Sequence, residues 1–275
     1  MASAGTPKPI PSPEARGSSV VGLFDSGLGG LTVVRRLRER LPNADIVFFA
    51  DQAHVPYGDR TPEDLRELLH VNLAWLDAQE VDAIVAACNT SCAVADVYGW
   101  PTTSAEVFDL LDSAAAAVGA SNARRIGVVG TAATVKTGAY GRRIRHRIAG
   151  ADVHEVAAPA LVPLVESGDY EGKHARAEVA AVCAQLPKDI DVLVLGCTHY
   201  PVLEAHFAAI LGTGVHLIDP AVMQAERAAT LIESRDRVGR GTTRYVTNGD
   251  LAAFHKNVAH IMGDPSPATS ALAVK

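Results

Sequence analysis

Short apolar runs alternate along this chain with longer stretches in which apolar positions recur every three or four residues. The runs predict strands at Val20–Phe24, Ile46–Ala50, Ile84–Ala87, Ile126–Val129, Val153–Val156, Val192–Leu195, Val215–Ile218 and Arg244–Thr247. The longer stretches predict helices over Thr32–Leu41, Pro62–Gln79, Leu110–Val118, Tyr140–Ile148, His174–Gln185 and Ala221–Ser234. Near-continuous apolar strands are those buried on both faces. Their alternation with helices predicts an α/β fold of mainly parallel sheets. Thr61-Pro62 followed by Glu63 and Asp64 is a clear helix start, with a capping hydroxyl, a fixed φ and acids at the positive end.

The pattern repeats. Val21-Gly22-Leu23-Phe24-Asp25-Ser26 resembles Ile126-Gly127-Val128-Val129-Gly130-Thr131, and the strand that ends at Cys88 resembles the one that ends at Cys197. Both pairs lie a little over a hundred residues apart. Two similar α/β domains follow, related by a pseudo-two-fold axis, each giving one thiol to a site between them. The expected division is a disordered extension at residues 1–19, a first domain of 20–112 plus 219–265, and a second of 113–218.

The chain has 275 residues, 48% hydrophobic and 20% charged, enough apolar content for a sizeable core. A net charge of −6 argues against a nucleic-acid surface. The cluster Arg142-Arg143-Ile144-Arg145 reads as a solvated helix face. Four cysteines without CxxC or Cys/His zinc spacing suit neither a disulfide framework nor a structural metal. The Pro/Ser/Ala/Gly-rich start lacks the apolar segment of a signal peptide. No run reaches the roughly 20 apolar residues of a membrane helix. A soluble, cytoplasmic protein with reduced thiols is expected.

Open α/β sheets place ligands at the carboxyl ends of their strands. Cys88 and Cys197 both fall there, and two matched thiols facing one substrate suit proton removal from one face of a carbon and proton return to the other. Asp25-Ser26-Gly27-Leu28-Gly29-Gly30 joins a strand to a helix. It lacks the full G-x-G-x-x-G dinucleotide spacing and fits a small anion or an amino acid as well. Asp25 is placed to meet an ammonium group or a thiol. Pro56, Tyr57 and Gly58 form a turn past the second strand, with the Tyr57-Gly58 backbone facing the site. Asn89, Thr90, Thr131, Thr134 and Thr198 supply short polar groups at strand ends. His199 sits beside Cys197 and can hold or relay its proton, and Glu166 either orients that ring or is a solvated helical acid. Cys92 and Cys183 read as small core residues.

The chain resembles the glutamate racemases of bacterial peptidoglycan synthesis, within the aspartate/glutamate racemase family. The resemblance rests on the segments Gly22 to Val33, Val55-Pro56-Tyr57-Gly58, Ala87-Cys88-Asn89-Thr90, Val162 to Glu166, and Leu195-Gly196-Cys197-Thr198-His199-Tyr200-Pro201-Val202-Leu203. Departures from the usual pattern fall at Gln52, Ser91-Cys92, Ala158 and Thr102–Leu111. The resemblance implies that Cys88 and Cys197 are the acid/base pair. It also implies that Asp25-Ser26, Tyr57-Gly58, Asn89-Thr90 and Thr198-His199 contact substrate, that no cofactor is used, and that D-glutamate is the product. Asp25 is expected to assist Cys88, and His199 with Glu166 to assist Cys197. Three alternatives stay open: an aspartate or other amino-acid racemase, a hydrolase using Cys197 and His199 as nucleophile and base, and a binding protein without turnover. The expected partner is a small molecule, not nucleic acid or membrane; whether the chain forms a homodimer is open.

Overall fold

A computed structural model describes residues 19–235 and 239–272. The elements run β1 (Val20–Asp25), α1 (Gly30–Arg40), β2 (Asp45–Ala50), α2 (Pro62–Asp77), β3 (Ala83–Ala86), α3 (Asn89–Tyr98), β4 (Glu106–Phe108), α4 (Leu110–Ala120), β5 (Arg125–Gly130), α5 (Ala132–Thr137) and α6 (Ala139–Arg147). They continue β6 (Asp152–Ala157), α7 (Leu161–Glu166), α8 (Lys173–Cys183), β7 (Val192–Gly196), α9 (Glu204–Leu211), β8 (His216–Ile218), α10 (Pro220–Glu233), β9 (Thr243–Thr247), α11 (Leu251–Met262) and β10 (Ala268–Ala271).

Two sheets form, both parallel throughout. The first runs β10-β9-β2-β1-β3-β4 and the second β6-β5-β7-β8. The four strands β2-β1-β3-β4 correspond in order to β6-β5-β7-β8, so the repeat read from the sequence is a repeat of topology. Gly22 and Gly127 illustrate it. Each sits on the middle strand of its unit, and an added Cβ would lie 2.9 Å from Val81 in one case and 3.0 Å from Leu193 in the other. At both positions a side chain would have to push its neighbours aside.

Every residue of β1 and β2 is buried. On α1 the buried face is Leu31, Val33, Val34 and Leu37; burying each such side chain stabilises the fold by about 1.5–3 kcal/mol. Side-chain caps start several helices: Thr61 for α2, the start read from the sequence, and also Asp109 for α4, Thr131 for α5, Asp219 for α10 and Asp250 for α11. The layer α1–α10–α4–α6 packs continuously from one unit to the other. Residues 1–18 of the expected extension lie outside the described residues. Ser19 is buried, and its carbonyl accepts the Asp45 N–H at 3.2 Å. Among the described residues no helix is long and apolar enough to cross a membrane.

Candidate active site

In each sheet the chain reverses direction beside the middle strand, β2 and β3 flanking β1, and β6 and β7 flanking β5. A crevice opens at such a switch point. Asp25 ends β1, Cys88 lies just beyond β3, Thr131 follows β5 and Cys197 follows β7. All four line one narrow cleft of about 50 Å³ between the units, with Ser26, Pro56, Tyr57, Gly58, Asn89, Thr90, Thr198 and His199. Among the described residues no lysine or arginine lines it. Thr134 stands one layer behind, fully buried. Glu166 reaches the cleft only through His199.

On the first side, Cys88 precedes α3 at its N-terminus and is 3% exposed. Burial pushes its thiol up to about 12; the charge of Asp25 adds to this, and the Ser91 hydroxyl and N–H oppose it. Burial likewise raises the Asp25 carboxyl to about 6, against the charge of His199 and hydrogen bonds from the Gly30 and Ser26 N–H groups and from Cys88. The Gly30 N–H donates to Asp25 Oδ2 at 2.6 Å. The anion at the α1 N-terminus is therefore Asp25 itself, a carboxylate beside a protonated thiol.

On the second side, Cys197 Sγ lies 3.7 Å from His199 Nδ1, and His199 Nε2 lies 2.6 Å from Glu166 Oε1. Burial alone would lower the His199 pKa, but bonds to the Cys197 sulfur and the Glu166 carboxylate overcome it and hold the ring well above its ordinary value. Burial would raise Glu166, and the bond to His199 holds it below the usual carboxylate range. An imidazolium between a sulfur and a carboxylate results. The glycine-rich loop lies directly against it: a Cβ on Gly29 would fall 2.5 Å from His199 Nδ1. The Leu28 N–H reaches Glu166 Oε1 at 3.4 Å from the opposite unit.

Neutral polar groups line the cleft and back it. Thr90, Thr131 and Thr134 form a triangle of hydroxyls, with Oγ1 separations of 3.0, 3.4 and 2.9 Å. Asn89 Oδ1 accepts the Tyr140 hydroxyl. The Tyr57 hydroxyl donates to Asp51 Oδ2, and Tyr57 and Gly58 both line the cleft.

The sequence pattern of the Asp/Glu/Hydantoin racemase family matches residues 31–228. The chain belongs to this family. Among its racemase relatives, the glutamate racemase of Gloeobacter violaceus is 44% identical over 241 residues, which is 86% of this chain and 89% of the relative. The glutamate racemase of Thermus thermophilus, solved in complex with β-chloro-D-alanine, is 35% identical and superposes with a TM-score of 0.82 over 94% of this chain and 98% of that one. The Francisella tularensis glutamate racemase in complex with D-glutamate is 27% identical, with a TM-score of 0.85 over 94% and 98%.

One part of the site escaped the sequence reading. Asp51 follows β2 as Asp25 ends β1, and its buried carboxylate also meets His54 Nδ1 at 2.6 Å and the Asn248 amide. Asn72 Nδ2 donates to the Tyr57 hydroxyl at 3.0 Å, and the Asp51 N–H donates to the Asp25 carbonyl at 2.9 Å. The signal, an acid at the carboxyl end of a buried strand, was present. Tyr57→Phe leaves Asp51 and Asn72 short of a partner, so the unfolding free energy is expected to fall by about 1–3 kcal/mol in a urea titration.

Proposed function

We propose that this protein interconverts L- and D-glutamate by two-base proton transfer without a cofactor. The observation that carries the reading is the pair of buried thiols at corresponding strand ends of two similar units, facing one cleft, each with its own acid/base assistant. The α-proton of an amino acid is weakly acidic, so charge must be dispersed as it leaves. Rotatable hydroxyls and strand-end N–H groups serve the carboxylate of the developing carbanion, and exclusion of water strengthens them. On one face Cys88 exchanges its proton with Asp25. On the other Cys197 exchanges with His199, which Glu166 holds in place. Substrate contacts are assigned to Asp25, Ser26, Pro56, Tyr57, Gly58, Asn89, Thr90, Thr131, Thr198 and His199, with Thr134 orienting Thr90 and Thr131. Every group comes from one chain, so the reading holds for a monomer or a homodimer alike.

We take residues 20–112 with 219–265 as one closing unit and 113–218 as the other, the first crossing falling inside α4. The D-glutamate would serve peptidoglycan synthesis in the cytoplasm. Purified protein should bring the circular dichroism of L- and of D-glutamate alike to zero with no added cofactor, and still do so after dialysis against a chelator and treatment with a carbonyl trap. Expression should relieve a D-glutamate auxotroph. Turnover of aspartate in place of glutamate would overturn the substrate assignment.

The pH dependence follows from Asp25. Its carboxyl, near 6 in the folded protein, must be ionised to take the Cys88 proton. On the acid side of about pH 6, kcat/KM should fall tenfold per unit. The fall must be equal from both enantiomers, because their equilibrium fixes the ratio. The sign for stability is opposite: a folded pKa above 3.8 contributes stability that is present below pH 4 and lost as pH rises through about 6. The ionised form that works is the one the fold tolerates less. A pH–rate profile without an acid limb between 5 and 7 would remove Asp25 from this role.

A further inference from the structure

The cleft is built for an acid, yet none of its lining residues is lysine or arginine, and the chain carries a net charge of −6. An anionic amino acid approaching such a molecule meets net repulsion unless the entrance is locally positive. Gly58, Asp59 and Ala132 line both the cleft and an adjoining open groove of about 770 Å³. That groove is lined further by Arg60, Lys136 and Arg142, with Asp96. The charges there do not cancel. Asp96 is taken up between Arg142 and Arg143 at 2.5 and 2.6 Å. Arg60 spends its Nε on the His54 carbonyl at 2.5 Å and keeps its charge. Asp59 is exposed at the rim. Lys136 is exposed in the last turn of α5 and makes no hydrogen bond or ion pair among the described residues.

We propose that Lys136, supported by Arg60, forms a cationic collar at the mouth of the cleft that captures the anionic substrate and passes it to the hydroxyls of Thr131 and Thr90. Lys136 lies on the helix whose first turn carries Thr131 and Thr134, so the collar and the hydroxyls share one rigid element. The inference rests on the proposed acidic substrate and adds the route by which that substrate arrives.

The test is Lys136→Glu, Lys136→Met and Lys136→Arg in the full chain, with L- and D-glutamate, at ionic strengths from about 0.01 to 1 M. Lys136→Glu should lower kcat/KM about 3–10-fold at low salt, equally from both enantiomers, with kcat unchanged. The loss should vanish at high salt. Lys136→Met, which keeps the aliphatic stem, should show a smaller loss and a shallower salt slope than wild type, and Lys136→Arg should behave as wild type. A Lys136→Glu enzyme with wild-type kcat/KM at low salt, a loss that persists at high salt, or a fall in kcat would each overturn the collar. Wild-type protein inert toward both enantiomers would instead overturn the proposed function, and the collar with it.

Discussion

Cys88→Ala and Cys197→Ala will each abolish racemisation, with kcat reduced by at least about 10³-fold in both directions. Each turnover needs one group to remove the proton and another to supply one from the opposite face, so neither thiol substitutes for the other. General acid–base groups contribute roughly 10²–10⁴-fold, and in the proposed mechanism the same group serves as base for one enantiomer and acid for its mirror image. The two substitutions should not be silent in every assay. With one thiol intact, its α-proton face can still exchange with solvent, so slow deuterium incorporation without inversion is expected in NMR. Cysteine-to-serine variants should still eliminate from a substrate with a β-leaving group, where removal from one face is enough. If Cys88→Ala kept near-normal turnover while Cys197→Ala lost it, the hydrolase reading based on Cys197 and His199 would take the place of the racemase reading.

His199→Asn should lower kcat by about 10²–10⁴-fold, unequally for the two directions. His199 sits 3.7 Å from Cys197 Sγ and is held by Glu166 at 2.6 Å. Cys88 has Asp25 instead. Loss of the imidazolium withdraws support from one of two proton transfers. The equilibrium between enantiomers fixes the ratio of kcat/KM values, so the asymmetry must appear in kcat or in primary deuterium isotope effects taken from each enantiomer. The isotope effect should rise in the direction where the Cys197 step has become the slow one. Equal changes in both directions, or an undiminished rate, would reduce His199 to a packing residue beneath Gly29.

The central strands and the thiols they deliver were legible because buried parallel strands are written as continuous apolar runs. β4 and β10 were not read. Glu106-Val107-Phe108 and Ala268-Thr269-Ser270-Ala271 are the two edges of the first sheet, each with one neighbour, and neither needs an apolar run. α5 and α7 span 6 residues each and show less than two turns of periodicity. At the site, Asp25, both cysteines and His199 were found because they follow strands directly. Glu166 by its local sequence read equally as an ordinary helical acid, and the pairing with His199 came in with the family resemblance, since nothing local reports that it meets a histidine 33 positions on. Asp51 was passed over although it obeys the same strand-end rule. The glycine-rich loop was read as an anion cradle; the anion it holds is a side chain of its own strand.

The hydroxyl triangle of Thr90, Thr131 and Thr134 bears on handedness. A pocket that serves mirror-image ligands cannot commit its donors to one of them. An arginine fork has a fixed plane and would grip one enantiomer better than the other. Three mutually bonded hydroxyls have no such plane. Thr90 and Thr131, which line the cleft, can each turn its one hydroxyl proton into the triangle or out toward a ligand, because any of the three oxygens can accept within it. Such a turn moves hydrogens only, on the picosecond-to-nanosecond scale of exposed side-chain rotors or somewhat slower in a buried site. The heavy atoms keep one arrangement while the pattern of donors is rewritten for whichever hand has entered.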